Sequence, residues 1–382
     1  MTATDIDQAE PAAVGATQAD TLAAMQILLA ADIPVLLWGD PGTGKTQTIE
    51  AFAQRAGWET VSVIASIHDP TDFAGLPVRT DAGVVFEPPA WARRTAAGDG
   101  VSLVFFDEVN TAVPATQNAL MRVVLEGRVG DLHLGDGVRF AAAANPPEHN
   151  SAAWDLSAPL ANRFAHLHWP VGFQDWKAGY LGGWPDPEPL DIDPAAVDPH
   201  GREMVKWMQA SFLATRPALV CEVPDNATAA RGWPSPRSWE RLADCFAIAD
   251  TAGASDEVRW LVASALVGEG AAAEYLAYLR NLDLPDPAEL LAHPAGFGEL
   301  QRSDQQLAAL DAVVAAAAAD PKRWRDAFRV CIVAAGCGAP DIAASAAIRL
   351  ARSKPAAARL PPGHEVFADI LTDAGLLTDP DT

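Results

Sequence analysis

The chain has 382 residues, 49% of them hydrophobic and 20% charged, and a formal charge of −23. That length exceeds one compact core and predicts two or three domains, and the apolar content excludes disorder of the whole chain. The acidic excess is shared by both halves, which argues against free electrostatic attraction to nucleic acid or to an anionic membrane.

Residues 1–15 are acidic and alanine-rich and read as a loose tail, without the basic and apolar runs of a secretory signal. Thr21–Ala31 has the apolar spacing of a helix. Five short apolar runs have the character of buried parallel strands: Ile33–Trp38, Thr60–Ile64, Val101–Phe106, Val138–Ala144 and Ala165–Trp169. Helical patterns lie between them at Gly44–Ala56, Pro89–Ala97, Pro114–Glu126 and Leu156–Arg163, and hairpin signals at 78–86 and 128–138. This alternation predicts an α/β fold, a parallel sheet flanked by helices, over residues 16–180. Residues 181–200 are rich in Pro, Gly and Asp and predict a linker. Beyond it every pattern is helical, from Glu203–Ala214 to Ile342–Ala351.

No stretch is long and apolar enough to span a bilayer. Cys221, Cys245, Cys331 and Cys337 lack metal-ligand spacing and are expected to be buried thiols. The expectation is a cytoplasmic protein without membrane insertion.

Only five of the 27 basic residues are lysines, and Lys45 is the sole lysine before Lys177. It stands in Gly39-Asp40-Pro41-Gly42-Thr43-Gly44-Lys45-Thr46, which matches G-x-x-x-x-G-K-[ST] between a strand pattern and a helix pattern. Glycines let successive N–H groups turn toward phosphate oxygens, and the following helix adds its positive end. Lys45 suits the β- and γ-phosphates of ATP, and the Thr46 hydroxyl suits Mg2+. Farther along, VSLVFFDEVN brings Asp107 to the end of an apolar run, where open α/β sheets place their ligands. Asp107 is the second candidate for the magnesium shell. Glu108 is the candidate general base for a water attacking the γ-phosphate.

With these residues in view, the chain resembles the AAA+ ATPases, and within them the MoxR-type branch, over roughly residues 20–250. The most specific stretches are DEVNTAVPATQNALMRVVLEGRV (Asp107–Val129) and FAAAANPPEHNSAAWDLSAPLANRF (Phe140–Phe164). The resemblance implies a P-loop NTPase sheet followed by a helical lid at 201–284 and a C-terminal helical extension at 285–382. It implies that Asn145 is a polar sensor beside the attacking water. Arg163 would reach into a neighbouring subunit's site, and Arg237 would be a second sensor arginine carried by the lid. The family usually has aspartate before the arginine at 163, where Asn162 stands here. In place of a peptide-gripping aromatic pair, the second hairpin carries Asp131, His133 and Asp136.

The implied function is a ring-forming homo-oligomer, by analogy a hexamer, that spends ATP on remodelling a client protein. By the same analogy the client carries a von Willebrand factor A domain. The residues also admit an ATP-gated assembly scaffold with little turnover, and an AAA+ motor acting on nucleic acid, which the acidic charge opposes.

Overall fold

The structure, a computed structural model, describes residues 16–81, 83–146, 154, 156–184, 187–192, 197, 199–223, 231–281, 285–355 and 358–376. The expected tail and part of the expected linker lie outside these residues. Among the described residues no helix is long and apolar enough to cross a membrane. The chain divides into two compact units, one of residues 1–196 and 221–272, the other of residues 197–220 and 273–382.

The first unit is built on five parallel strands: β1 (Val35–Trp38), β2 (Glu59–Ile64), β3 (Ser102–Asp107), β4 (Val138–Ala144) and β5 (Ala165–His168). Their order in the sheet is β2-β3-β4-β1-β5. All four residues of β1 and the first five of β3 are buried, as strands covered on both faces require. The register pairs Trp38 with Ala144 and Phe106 with Ala142, so β1, β3 and β4 end side by side. This alignment positions the site.

Helices α1 (Gln18–Ala30), α2 (Lys45–Arg55), α3 (Ala90–Ala96) and α4 (Pro114–Glu126) belong to this unit. On α1 a capping box between Thr17 and Asp20 satisfies the first turn, and eight of its residues are buried. Proline at the start of α4 and left-handed Gly127 after it delimit that helix. Two antiparallel hairpins stand off the sheet, Leu76–Thr80 with Gly83–Glu87, and Arg128–Val129 with Leu132–His133. They dock on each other, where Phe86 N donates to Asp131 Oδ2 at 2.9 Å.

A helix the sequence patterns do not announce, α5 (Phe173–Gly182), follows β5. Phe173, Trp176 and Tyr180 are exposed on it and stacked in series, with ring centroids 6.2 and 5.0 Å apart. Its apolar residues therefore do not form the core-facing stripe by which a helix is read. The pattern at Leu156–Arg163 yields a helix only over Ala158–Ala161.

The second unit contains α6 (Pro199–Thr215), and the later part of a helix, Glu269–Asn281, whose first residues belong to the first unit. Between them in the chain, α7 (Pro236–Thr251) and α8 (Asp256–Val267) belong to the first unit and pack with α1. The second unit is completed by α9 (Ser303–Ala319), α10 (Trp324–Gly336) and α11 (Pro340–Arg352). Its core joins Phe328, Trp324 and Phe367 to the small residues Ala343, Ala346 and Ala347, which let α11 approach α10 closely. Cys245 and Cys331 are buried, but Cys221 and Cys337 are exposed, which corrects the expectation of four buried thiols.

Candidate functional site

β1 leads into Gly39, and α2 begins at Lys45. Gly42 and Gly44 have φ of 76° and 83°, a backbone that side chains rarely tolerate. Gly44 is the N-cap of α2 and offers no side chain to the first N–H groups of that helix. Amides at an uncapped helix start suit an anion. Thr43 Oγ1 closes the loop by donating to the Asp40 carbonyl at 2.7 Å, and Trp169 Nε1 donates to the Thr43 carbonyl at 3.2 Å. Pro41 is exposed at its rim.

Lys45 is buried, and its Nζ donates to Gly39 O at 2.6 Å, Asp40 O at 2.8 Å and Asn145 Oδ1 at 3.3 Å. Burial lowers its pKa, and the charges of Asp107 and Asp40 oppose that shift. One residue on, Thr46 Oγ1 donates to Asp107 Oδ2 at 2.7 Å. The other Asp107 oxygen accepts from Glu108 N at 2.9 Å.

Glu108 has a φ of 53°, in the left-handed region. Such a backbone costs on the order of 1–3 kcal/mol and persists where the surroundings over-determine it. Here the Glu108 carbonyl accepts from Thr111 N at 3.0 Å and from Thr111 Oγ1 at 2.8 Å. Its exposed carboxylate accepts from Ser66 Oγ at 2.9 Å.

Asn145 is fixed through its main chain. The Asn110 amide donates from Nδ2 to Asn145 O at 2.7 Å and accepts at Oδ1 from Asn145 N at 3.3 Å. Asn110 is only 1% exposed. Ser66 and the bracing role of Asn110 escape a reading by motif. The signal available for Ser66 is a hydroxyl two residues beyond β2, the strand whose Ile64 pairs with Asp107.

Lys45, Thr46, Asp107, Glu108 and Asn145 thus form one connected group. Arg163 and Arg237 make no hydrogen bond or ion pair to that group among the described residues. Arg237 lines a small cavity with Asn162, Phe164, Arg231, Trp233 and Arg241, and its charge acts on Arg163. Burial, then the charge of Arg237, lowers the pKa of Arg163.

His166 on β5 is fully buried between two partners. Its Nε2 donates to Ala161 O at 2.8 Å, and its Nδ1 accepts from Trp38 Nε1 at 2.9 Å. Burial pushes its pKa down to about 4 and keeps the ring neutral.

The donor set fits a magnesium nucleotide. A hydroxyl and a carboxylate are hard oxygen ligands, an ammonium stands among them, and the α2 N–H groups are uncapped.

No curated protein matches the sequence. Among solved structures, a candidate ATPase from Cytophaga hutchinsonii is 16% identical, with a TM-score of 0.44, over 69% of this chain and 89% of that one. A full-length MCM homolog from Methanopyrus kandleri is 18% identical, with a TM-score of 0.35, over 68% of this chain and 53% of that one. Neither bears on the chemistry of this chain. Residues 35–167 match the family described as "ATPase family associated with various cellular activities (AAA)", so the first unit carries an AAA domain with the P-loop NTPase fold.

Proposed function

We propose that the chain is a MoxR-like, cytoplasmic AAA+ ATPase that forms a homo-oligomeric ring, a hexamer by family analogy. It couples Mg–ATP hydrolysis to remodelling of a client protein. The observation that carries this reading is the convergence of Lys45, Thr46, Asp107, Glu108 and Asn145 at three adjacent strand ends. A client with a von Willebrand factor A domain rests on the family analogy alone.

In this reading Lys45 exchanges its carbonyl partners for β- and γ-phosphate oxygens. Thr46 and Asp107 hold Mg2+, which when bound neutralises charge on those oxygens. Glu108 accepts the proton of the attacking water, and the Asn145 amide orients that water. Arg163 and Arg237 are the cations that meet charge developing on the transferring phosphoryl group, with Arg163 acting in a neighbouring copy.

Substituting Glu108 by Gln is expected to leave ATP binding intact and lower turnover by about 10²-fold or more. Nucleotide titration and phosphate release measure the two effects. Normal turnover in Glu108→Gln removes Glu108 from the mechanism. Lys45→Ala is expected to weaken nucleotide binding itself. Mixing Arg163→Ala with Lys45→Ala chains restores part of the activity if Arg163 acts between copies.

A scaffold reading with little turnover has one observation in its favour, the engagement of the Glu108 carboxylate by Ser66. Ser66→Ala discriminates the two. A rise in turnover supports a restrained enzyme, and continued absence of turnover supports the scaffold.

A further inference from the structure

A third arginine belongs with Arg163 and Arg237. Arg237 and Arg241 stand four residues apart on α7, hence on one face of that helix. Arg241 Nη1 donates to the main-chain carbonyl of Arg163 at 3.1 Å. That carbonyl belongs to a tight turn, in which Arg163 N donates to Leu160 O at 3.0 Å and Phe164 N to Ala161 O at 3.2 Å. Phe164 is buried, so the turn is fixed on one side by packing and on the other by Arg241.

The cluster is electrostatically costly as it stands. Arg237 occupies the first turn of α7, where a helix disfavours cations. Burial, then the charges of Arg237 and Arg163, depress the pKa of Arg241, with Asp32 acting the other way. Among the described residues none of the three arginines forms an ion pair. Such an arrangement is relieved by a polyanion arriving from outside.

The chain's own nucleotide loop lies at the end of the sheet away from Arg163. Arg163 precedes β5, whose Ala165 pairs with Val35 at the start of β1, whereas Lys45 follows the end of β1. Four residues of strand separate the two ends by about 13 Å at ~3.3 Å per residue.

We propose that Arg241 is a positioning residue for the proposed ATPase reaction. Its hydrogen bond to the Arg163 carbonyl sets the turn from which Arg163 presents its guanidinium to the polyphosphate bound by a neighbouring copy. Arg241 itself does not touch the phosphate. The inference rests on the function proposed above.

The test uses the full chain with Arg241→Met, which removes donor and charge, and Arg241→Lys, which keeps a charge and a donor. In Arg241→Met, kcat falls about tenfold or more while KM for ATP stays within about twofold. Arg241→Lys recovers part of that loss. Mixing Arg241→Met with Lys45→Ala chains restores activity, as it does for Arg163→Ala. In the double variant Arg163→Ala, Arg241→Met, kcat equals that of Arg163→Ala alone, because Arg241 acts only through Arg163.

Unchanged kcat in Arg241→Met overturns the proposal. Loss without rescue by mixing, or effects that multiply in the double variant, also overturns it. If Arg241→Met does not fold, the same comparisons are made with Arg241→Gln, which is shorter and uncharged, and the same outcomes support or overturn the proposal. A wild-type chain without turnover overturns the proposed function and this inference together. A wild-type chain with turnover and an unaffected Arg241→Met overturns this inference alone.

Discussion

Asn110 carries no charge and takes no part in the proposed chemistry, yet it holds the residue that does. Its amide satisfies both main-chain groups of Asn145 from a site that water hardly reaches. Asn110→Ala strands the half-buried N–H and carbonyl of Asn145, and is expected to lower stability by about 1–3 kcal/mol. It also frees the Asn145 side chain, so turnover falls more than nucleotide affinity. A urea midpoint and a turnover measurement check the two halves of this prediction, and an unchanged midpoint sinks the first. At this scale the phosphate loop and the Asp107–Glu108 pair were legible because their chemistry is written in contiguous residues. Ser66, Asn110 and Arg241 act across 42, 35 and 78 positions of chain. A spacing rule has nothing to say about partners brought together only by the fold.

At the scale of elements, the five apolar runs announced the strands to within two residues: β1, β3 and β4 are buried almost throughout and leave continuous apolar sequence, whereas the edge strand β2 alternates. Their order was not written there, since any permutation buries the same residues. Register and order are what align the ends of β1, β3 and β4. The hairpins were legible as turns, but their docking was not, because it depends on the absence of side chains at Gly75 and Gly130. Gly130 has a φ of 60°, and a Cβ there would lie 2.5 Å from Phe86 O. Gly130→Ala must push the first hairpin away and break the contact between Phe86 and Asp131. The expected outcome is faster hydrogen exchange in both hairpins, about tenfold or more, with nucleotide affinity unchanged. Unchanged exchange in the 83–87 strand shows that the hairpins do not depend on each other.

For the whole molecule, two buried titratable groups give the two units opposite responses to acid. In the first unit, the His166 pKa is pushed down to about 4, against an ordinary 6.5. The unfolded chain therefore takes up a proton first, and stability is lost as pH falls from the ordinary value toward the depressed one. At about pH 5 the loss is roughly 2 kcal/mol. In the second unit Asp311 is 3% exposed and accepts from Ser211 Oγ at 3.1 Å and from Arg349 Nη2 at 2.5 Å. Arg349 also lies over the Trp207 ring, 4.2 Å from its centroid. Burial raises the Asp311 pKa despite Arg349, so the folded form holds its proton to higher pH than the unfolded one. Its contribution is present in acid and is lost as pH rises through the raised value. Asp311→Ala at neutral pH leaves Arg349 without its carboxylate and is expected to destabilise the second unit by about 3–5 kcal/mol. Hydrogen exchange at pH 7 and about pH 5, corrected for intrinsic rates, separates the units. Protection of β5 is expected to drop about thirtyfold on acidification, and much less in His166→Gln. In a pH series taken on down through the carboxylate range, protection of α9, which carries Asp311, is expected to fall more steeply in Asp311→Asn than in the wild type. Equal acid responses of β5 in wild type and His166→Gln remove His166 as the source. Equal responses of α9 in wild type and Asp311→Asn do the same for Asp311.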